Sequence, residues 1–272
     1  LKLRKWYDLV IVTKQLHVPI LGDVVYLHFP DFYPGVEYLY YPYRYLENTF
    51  LRIYSLPSHI LSDLLLRLFK SLEYKPIILT NSMFSKAMIK RWLGLDAVVL
   101  YPPVNIQKYL LLSQNKDREN VVITVGRIEK AKNLDTIINI AKYTKLSDIK
   151  YVIIGALDDH KYYHFLLKSI KRNNLDGKVK ILVNLSEEAK LNLMSKARIC
   201  IHPMKYEHFG IAVVEAMAAG LVPIVHKFSG PWIDILEAGK YGFGFTNEHE
   251  PAEIIHNLLM DSHEWELWSE KA

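Results

Sequence analysis

Short apolar runs alternate with amphipathic stretches throughout the second half of the chain. Strands are predicted at 121–125, 151–154, 179–183, 199–201, 222–225 and 242–245, and helices at 134–143, 161–172, 187–196, 211–219, 233–237 and 251–259. This alternation predicts a doubly wound α/β domain built on a parallel sheet. Such a sheet binds ligands at the edge formed by the carboxyl ends of its strands. Residues that follow the predicted strands are therefore the first candidates for a functional site.

The first half of the chain is less regular but follows a similar plan. Strands are predicted at 8–13, 24–27 and 77–80, and helices at 60–72 and 82–93, the second of them capped by Ser82. A chain of 272 residues that is 50% hydrophobic is long enough for about two domains. The polar run 113–120 is the predicted linker, so we expect domains at 1–115 and 116–272.

Two carboxylates bracket the start of the helix predicted at 211–219. Glu207 precedes a Phe209-Gly210 turn, and Glu215 lies within the helix. Unpaired amides at a helix N-terminus favour an anion such as a diphosphate, and a carboxylate accepts hydroxyls of a sugar or a ribose. The pattern suggests a nucleotide-sugar site. Taken alone, the same two acids also suit a solvated loop and a solvated helix surface.

Two basic residues follow the strand predicted at 121–125. Arg127 and Lys132 leave its carboxyl end, and a guanidinium and an ammonium placed there can neutralise a pyrophosphate as it departs. A solvated basic loop is the other interpretation of this pair.

These motifs together resemble a known family. Gly126-Arg127 with Lys132-Asn133, and the segment 207–215 followed by 216–220, resemble the retaining glycosyltransferases of family 4. That resemblance implies the GT-B fold, in which two Rossmann-like domains face a cleft. Segments 26–30, 100–104, 206–210 and 226–231 resemble in particular its mannosyltransferase branch in dolichol-linked glycan assembly. Relative to the family the opening strand and its Gly-rich loop are missing, so the N-terminal, acceptor-side domain is expected to be incomplete.

The resemblance also implies roles for individual residues. Glu207 and His28 match the catalytic positions near the anomeric carbon, although His28 also fits a strand-end histidine that bonds the backbone. The implied donor-binding residues are Arg127, Lys132, Phe209, Gly210, Ile211, Glu215, Ser229 and Gly230. Phe228-Ser229-Gly230 departs from the Ser-Gly-Gly turn that is usual in the family. No metal and no cofactor are implied beyond the nucleotide sugar itself.

The function implied by the resemblance is transfer of a hexose, mannose in the branch named above. The donor would be GDP-mannose or a UDP-sugar, and the acceptor a glycan or a polyprenyl-phosphate-linked glycan. Two other classes remain open on the residues alone. One is a non-catalytic module that binds nucleotide sugars, and the other is a sugar-nucleotide epimerase on the same scaffold.

Charge and aromatic content suggest where the protein works. Residues 1–115 carry 13 Lys and Arg against 8 Asp and Glu, whereas the remainder is balanced, and nine aromatic residues lie between Phe32 and Tyr54. Such a surface suits an anionic membrane, and an aromatic-rich core under an ordinary basic surface is the alternative. No nucleic-acid-binding motif is present. The single Cys200 excludes an internal disulfide and fits a reducing compartment, so we expect a cytoplasmic protein at or near the membrane face.

Overall fold

The computed structural model describes residues 6–13, 22–30, 49–71, 75–115 and 117–272, which belong to two compact units. The first unit is Leu1–Pro102 and the second is Pro103–Ala272. Each unit has its own parallel sheet and its own hydrophobic core. The predicted α/β class is therefore confirmed.

Within the described residues, the first unit has a parallel sheet in the order β1-β2-β3-β4. Its elements are β1 (Ile11–Val12), β2 (Val24–Tyr26), α1 (Thr49–Ser71), β3 (Ile77–Thr80), α2 (Met83–Leu93) and β4 (Val98–Val99). Ser82 caps α2 as predicted, because its hydroxyl oxygen accepts the Ser85 amide at 2.9 Å. Helix α1 begins earlier than predicted, and β1 is shorter than predicted.

The second unit is a doubly wound α/β domain, as its periodicity predicts. Its strands are β5 (Val121–Val125), β6 (Lys150–Gly155), β7 (Val179–Val183), β8 (Ile199–His202), β9 (Val222–His226) and β10 (Phe243–Phe245). Its helices are α3 (Gln107–Ser113), α4 (Asp135–Tyr143), α5 (His160–Arg172), α6 (Glu187–Lys196), α7 (Ile211–Ala218), α8 (His249–Met260) and α9 (Ser262–Lys271). All pairs of neighbouring strands are parallel.

The strand order β10-β9-β8-β5-β6-β7 fixes where a ligand site can form. The chain proceeds outward from β5 through β6 to β7, then returns to β8 and proceeds through β9 to β10 in the opposite direction. Because the direction reverses between β5 and β8, the helices that follow these two strands cover opposite faces and leave a crevice at their carboxyl ends. One core contains Ile137, Leu166 and Ile255 from α4, α5 and α8, and the other contains Tyr109, Met194 and Ala216 from α3, α6 and α7.

The boundary between the units lies earlier than the predicted limit at residue 115. Tyr109 of α3 is fully buried in the core of the second unit. Arg118, within the polar run predicted as a linker, is also buried, and its guanidinium donates to the carbonyls of Ala197 at 2.5 Å and Ala219 at 2.6 Å. Arg118 is thus fastened to the second unit by partners that are distant in sequence, which the hydrophilicity of the run 113–120 does not reveal.

The structure also differs from the helix predicted at 233–237. A π-helical turn at Pro231–Ile235 is followed by a 3-10 turn at Glu237–Gly239. Glu237 and Ala238 have φ values of 44° and 56°, and left-handed residues cannot continue a right-handed helix.

Candidate functional site

Glu207 is the centre of a charged cluster at the carboxyl ends of β5 and β8. Its Oε2 accepts a hydrogen bond from Lys132 Nζ at 2.8 Å and lies 2.9 Å from His202 Nε2. Lys132 comes from the 3-10 turn Lys130–Lys132 after β5, while His202 ends β8 and Glu207 follows it. The topological reversal between these strands therefore brings together residues that are 75 positions apart in sequence.

The environment of Glu207 keeps its carboxylate ionised. Burial by itself raises the pKa of this group, but the hydrogen bond and charge of His202 and the charges of Lys132 and His208 hold the pKa well below its usual range. The side chains of Lys132 and Glu207 are only 17% and 13% exposed. A fixed negative charge therefore lies beside a lysine ammonium in a largely desolvated place, where both interact strongly with a polar ligand.

Arg127 has different partners from Lys132, although the sequence suggests that the two act as a pair. Its guanidinium is exposed and bonds Glu129 at 2.8 Å and Asp158 at 3.1 Å. Burial raises the pKa of Glu129, the charges of Arg127 and Lys132 lower it, and the charges of Asp158 and Glu207 raise it further. Glu129 thus lies within electrostatic reach of both basic residues, and the acids around Arg127 compete with any anion for its guanidinium.

Two glycines near the crevice are in close contact with the backbone of neighbouring loops. A Cβ on Gly155 at the end of β6 would lie 1.7 Å from the carbonyl oxygen of Gly126, so the two segments approach as only glycine permits. Gly230 is equally constrained, because a Cβ there would lie 1.9 Å from the carbonyl oxygen of His208. Its amide donates to the carbonyl of Glu207 at 2.7 Å.

The two loops that the sequence predicts as diphosphate-binding are therefore in contact. Gly210 has a φ of 93° and packs on Pro231, which follows Gly230. Helix α7 starts at Ile211, and the carbonyl of its N-cap, Gly210, accepts the Val213 amide at 2.9 Å. The amides of Ile211 and Ala212 precede this bond, in the part of a helix where amides have no acceptor one turn earlier within the helix. Ser229 is fully buried, and its hydroxyl donates to the carbonyl of His226 at 2.6 Å. Phe209 lies in the same turn, half-buried.

Glu215 lies in α7 and makes its contacts with two residues that the sequence analysis did not single out. Its Oε2 is 3.7 Å from Lys190 Nζ, and Lys190 Nζ donates to the hydroxyl of Tyr109 at 2.9 Å. Burial raises the pKa of Cys200 in β8 to about 12, and the charge of Glu215 contributes to this rise. The thiol is therefore protonated at neutral pH, in agreement with its interpretation as a buried core residue.

His28 lies in the first unit, two residues after the end of β2. The residue is exposed, and its ring packs edge-on against Tyr26 with centroids 4.8 Å apart. Its position after the carboxyl end of a parallel strand agrees with a ligand-facing role, and the catalytic role itself stays a prediction.

The residues that the sequence analysis missed differ in whether any signal pointed to them. His202 is the last residue of β8, so the rule of searching beyond strand ends should have identified it. Glu129 lies between two residues already selected. Lys190 and Tyr109 had no such signal, since one lies within a helix and the other in a segment assigned to the first domain.

Within the described ranges, no three His, Cys, Asp or Glu side chains are grouped so that they could hold a metal ion. No helix among those same residues is both long and apolar enough to span a lipid bilayer.

Sequence comparison relates the second unit to a large family. The profile named Glycosyl transferases group 1 matches residues 112–272. A GDP-Man:Man(3)GlcNAc(2)-PP-Dol alpha-1,2-mannosyltransferase of Dictyostelium discoideum is 31% identical over 185 residues, which cover 62% of this chain and 37% of that protein. The human protein of the same name is 28% identical over 216 residues, covering 72% and 44%. The chain thus spans less than half the length of these curated relatives.

Structural comparison agrees with the fold prediction. WaaG, a glycosyltransferase involved in lipopolysaccharide biosynthesis, superposes with a TM-score of 0.73 at 16% identity, covering 99% of this chain and 74% of WaaG. HepE of Anabaena, solved in complex with UDP, gives 0.69 at 19% identity, covering 91% and 65%. These likenesses confirm the predicted GT-B class of parallel α/β fold.

Proposed function

Since the chain belongs to the group 1 glycosyl transferases, we propose that it contributes to transfer of mannose from GDP-mannose to a lipid-linked glycan. The donor and acceptor are those named in its relatives from Dictyostelium discoideum and Homo sapiens. The observation that carries the proposal is the contact between Lys132 and Glu207 at the crevice between β5 and β8. An ammonium and a carboxylate held together at this crevice support a site that binds a diphosphate and its sugar.

Each residue of the cluster has a distinct chemical task in this proposal. The diphosphate lies against the amides at the start of α7 and pairs with the ammonium of Lys132. This charge stabilises the diphosphate as the leaving group when its bond to the mannose breaks. Glu207 remains hydrogen-bonded to His202 and accepts hydroxyls of the mannose. Arg127 supplies a second positive charge after exchanging Asp158 for a phosphate oxygen. Glu215 accepts the ribose hydroxyls, and the catalytic role that the resemblance implies for His28 stays a prediction.

Product formation tests the proposal directly. The chain is incubated with GDP-mannose, or separately with UDP-glucose, and a dolichol-linked Man(3)GlcNAc(2) acceptor, and the glycan is analysed by mass spectrometry. We expect addition of one hexose from GDP-mannose, and Lys132→Met should lower the rate at least about a hundredfold, as loss of one charge-stabilising group does. Lys142→Met, which removes an exposed lysine of α4, is the control and should leave the rate unchanged.

The same assay separates the other two classes. Binding of GDP-mannose with no transfer would indicate a non-catalytic module. A change in the stereochemistry of the nucleotide-bound sugar, in the absence of an acceptor, would indicate an epimerase. Transfer from UDP-glucose in preference to GDP-mannose would retain the transferase and change the donor.

Helix α1 supports a further part of the proposal, namely that the first unit docks on an anionic membrane. One stripe of this helix is apolar and exposed, with each side chain between 52% and 68% accessible. Its members are Ile53, Leu56, Ile60, Leu61, Leu64 and Leu68. The stripe is about 22 Å long at the rise of an α-helix. Lys70 is exposed on the same helix, and Arg67, also exposed, pairs with Asp63 at 2.9 Å. Exposed basic residues near an apolar stripe are typical of helices that lie in a membrane interface.

Vesicle flotation tests this contact. The chain should float with vesicles of phosphatidylserine and phosphatidylcholine at low salt, and less with phosphatidylcholine alone. Leu64→Glu should reduce flotation, whereas Leu111→Glu on α3 is the matched exposed control and should not. Equal flotation of the two variants would contradict docking through α1, and dimerisation through this face would show as a change in sedimentation.

A further inference from the structure

Tyr109 is a fully buried residue whose hydroxyl bonds a lysine that pairs with Glu215. Its ring lies in the core formed by α3, α6 and α7, and a tyrosine is rarely buried completely without a partner for its hydroxyl. That partner is Lys190 of α6, whose Nζ donates to the hydroxyl at 2.9 Å and lies 5.3 Å from the centroid of the ring. Packing of the ring therefore fixes the position of the Tyr109 hydroxyl, and the hydrogen bond to this hydroxyl restricts the position of Lys190 Nζ.

The Glu215 carboxylate lies beside the same lysine, because its Oε2 is 3.7 Å from Lys190 Nζ. Lys190 therefore links the two groups: it donates to the packed Tyr109 hydroxyl and pairs with the Glu215 carboxylate. Burial raises the pKa of Tyr109, and the nearby Glu215 carboxylate raises it further. The hydroxyl therefore stays protonated at neutral pH, with its oxygen available to accept from Lys190.

We propose that Tyr109 and Lys190 are positioning residues that hold the Glu215 carboxylate in the orientation that accepts the two ribose hydroxyls of the donor. This inference rests on the proposed function. A free glutamate side chain loses rotamer entropy when it binds a ligand, and a carboxylate paired with a lysine that a packed hydroxyl holds in place has lost part of it beforehand. Glu215 remains 20% exposed, so part of its carboxylate is open to a ligand.

The orientation of Glu215 is tested by the amount that the two ribose hydroxyls add to the binding affinity for GDP. Calorimetry compares binding of GDP with binding of 2′,3′-dideoxy-GDP to the complete chain and to its variants. We expect the wild-type chain to prefer GDP by about tenfold, as one or two hydrogen bonds to a charged group give. Tyr109→Phe keeps the ring in the core and removes the hydroxyl, and it should reduce this preference by about fivefold without changing the affinity for the dideoxy compound.

Two further variants separate positioning from general damage to the fold. Tyr151→Phe removes another fully buried hydroxyl of the second unit, one that bonds Thr144 at 2.7 Å, and should leave the preference unchanged. Lys190→Met keeps the aliphatic stem and should reduce the preference as Tyr109→Phe does, which keeps the test valid should Tyr109→Phe fold poorly. In a Glu215→Gln background, Tyr109→Phe should have no further effect on the preference.

The outcomes distinguish this inference from the function on which it rests. If the wild-type chain binds GDP with the expected preference and both variants retain it, the positioning role is refuted while the proposed function stands. If the wild-type chain binds both compounds equally, the role of Glu215 is refuted together with the positioning role. If it binds neither GDP nor UDP, the proposed function fails as well.

Discussion

The pair formed by Lys132 and Glu207 should couple strongly in the free energy of unfolding. The charged atoms are 2.8 Å apart, and at an effective dielectric constant of about 20 their attraction is about 6 kcal/mol before desolvation is counted. Both side chains are mostly removed from water, which offsets much of this attraction. A double-mutant cycle of Lys132→Met and Glu207→Gln should therefore give a coupling energy of about 2 kcal/mol.

An exposed pair of the same unit provides the matched control. Lys227 and Glu250 are 3.4 Å apart with side chains 42% and 33% exposed, so their coupling should stay below about 1 kcal/mol. The measurement is urea unfolding at pH 7, followed by tryptophan fluorescence and by circular dichroism, whose agreement tests for a single transition. A coupling energy for Lys132 and Glu207 no larger than that of the control would refute the argument from burial.

Two further predictions concern the loops of the crevice. Gly230→Ala should destabilise the fold by more than about 2 kcal/mol in urea unfolding, because its Cβ would overlap the carbonyl oxygen of His208, whereas Gly177→Ala, with nothing within 4 Å, should stay within about 0.5 kcal/mol. Burial and the charge of Lys205 lower the pKa of His226 to about 4, with Glu250 acting in the opposite sense. The neutral ring thus stabilises the fold above about pH 6.5 and this contribution, up to about 3 kcal/mol, is lost as pH falls towards 4. His226→Gln should flatten the stability profile between these values, and a profile identical to wild type would contradict the burial of a neutral ring.

The regular elements of the second unit were predictable because their signals are local. Strands β5 and β7 and helix α6 have the predicted bounds, and Ser186 caps α6. A run of β-branched residues or a serine before a helix acts within a few positions, so neighbours in sequence suffice to identify it. The turns after Pro231 were less predictable, because the positive φ values of Glu237 and Ala238 override local preference there.

The candidate site was only partly accessible from the sequence. Gly126, Lys132, Glu207 and Gly230 are at strand ends and in turns, where parallel topology gathers functional residues, and their spacing pointed to a shared site. Which charges pair was not predictable. Lys132 pairs with Glu207 because the reversal between β5 and β8 brings the loops after these strands together. Arg127 bonds Asp158 because β6 lies beside β5 in the sheet.

The sequence by itself determined that the second unit is a doubly wound sheet with a crevice between two strands, since apolar periodicity fixes which face of each element is buried. Only the tertiary structure decided that Tyr109 belongs to this unit, that Arg118 fastens a polar segment to it, and that His202 and Lys190 stand beside the two acids. The physical reason is distance along the chain. Periodicity reports the environment of a residue averaged over one face, whereas a hydrogen bond or an ion pair depends on two particular atoms that folding brings within 4 Å of each other.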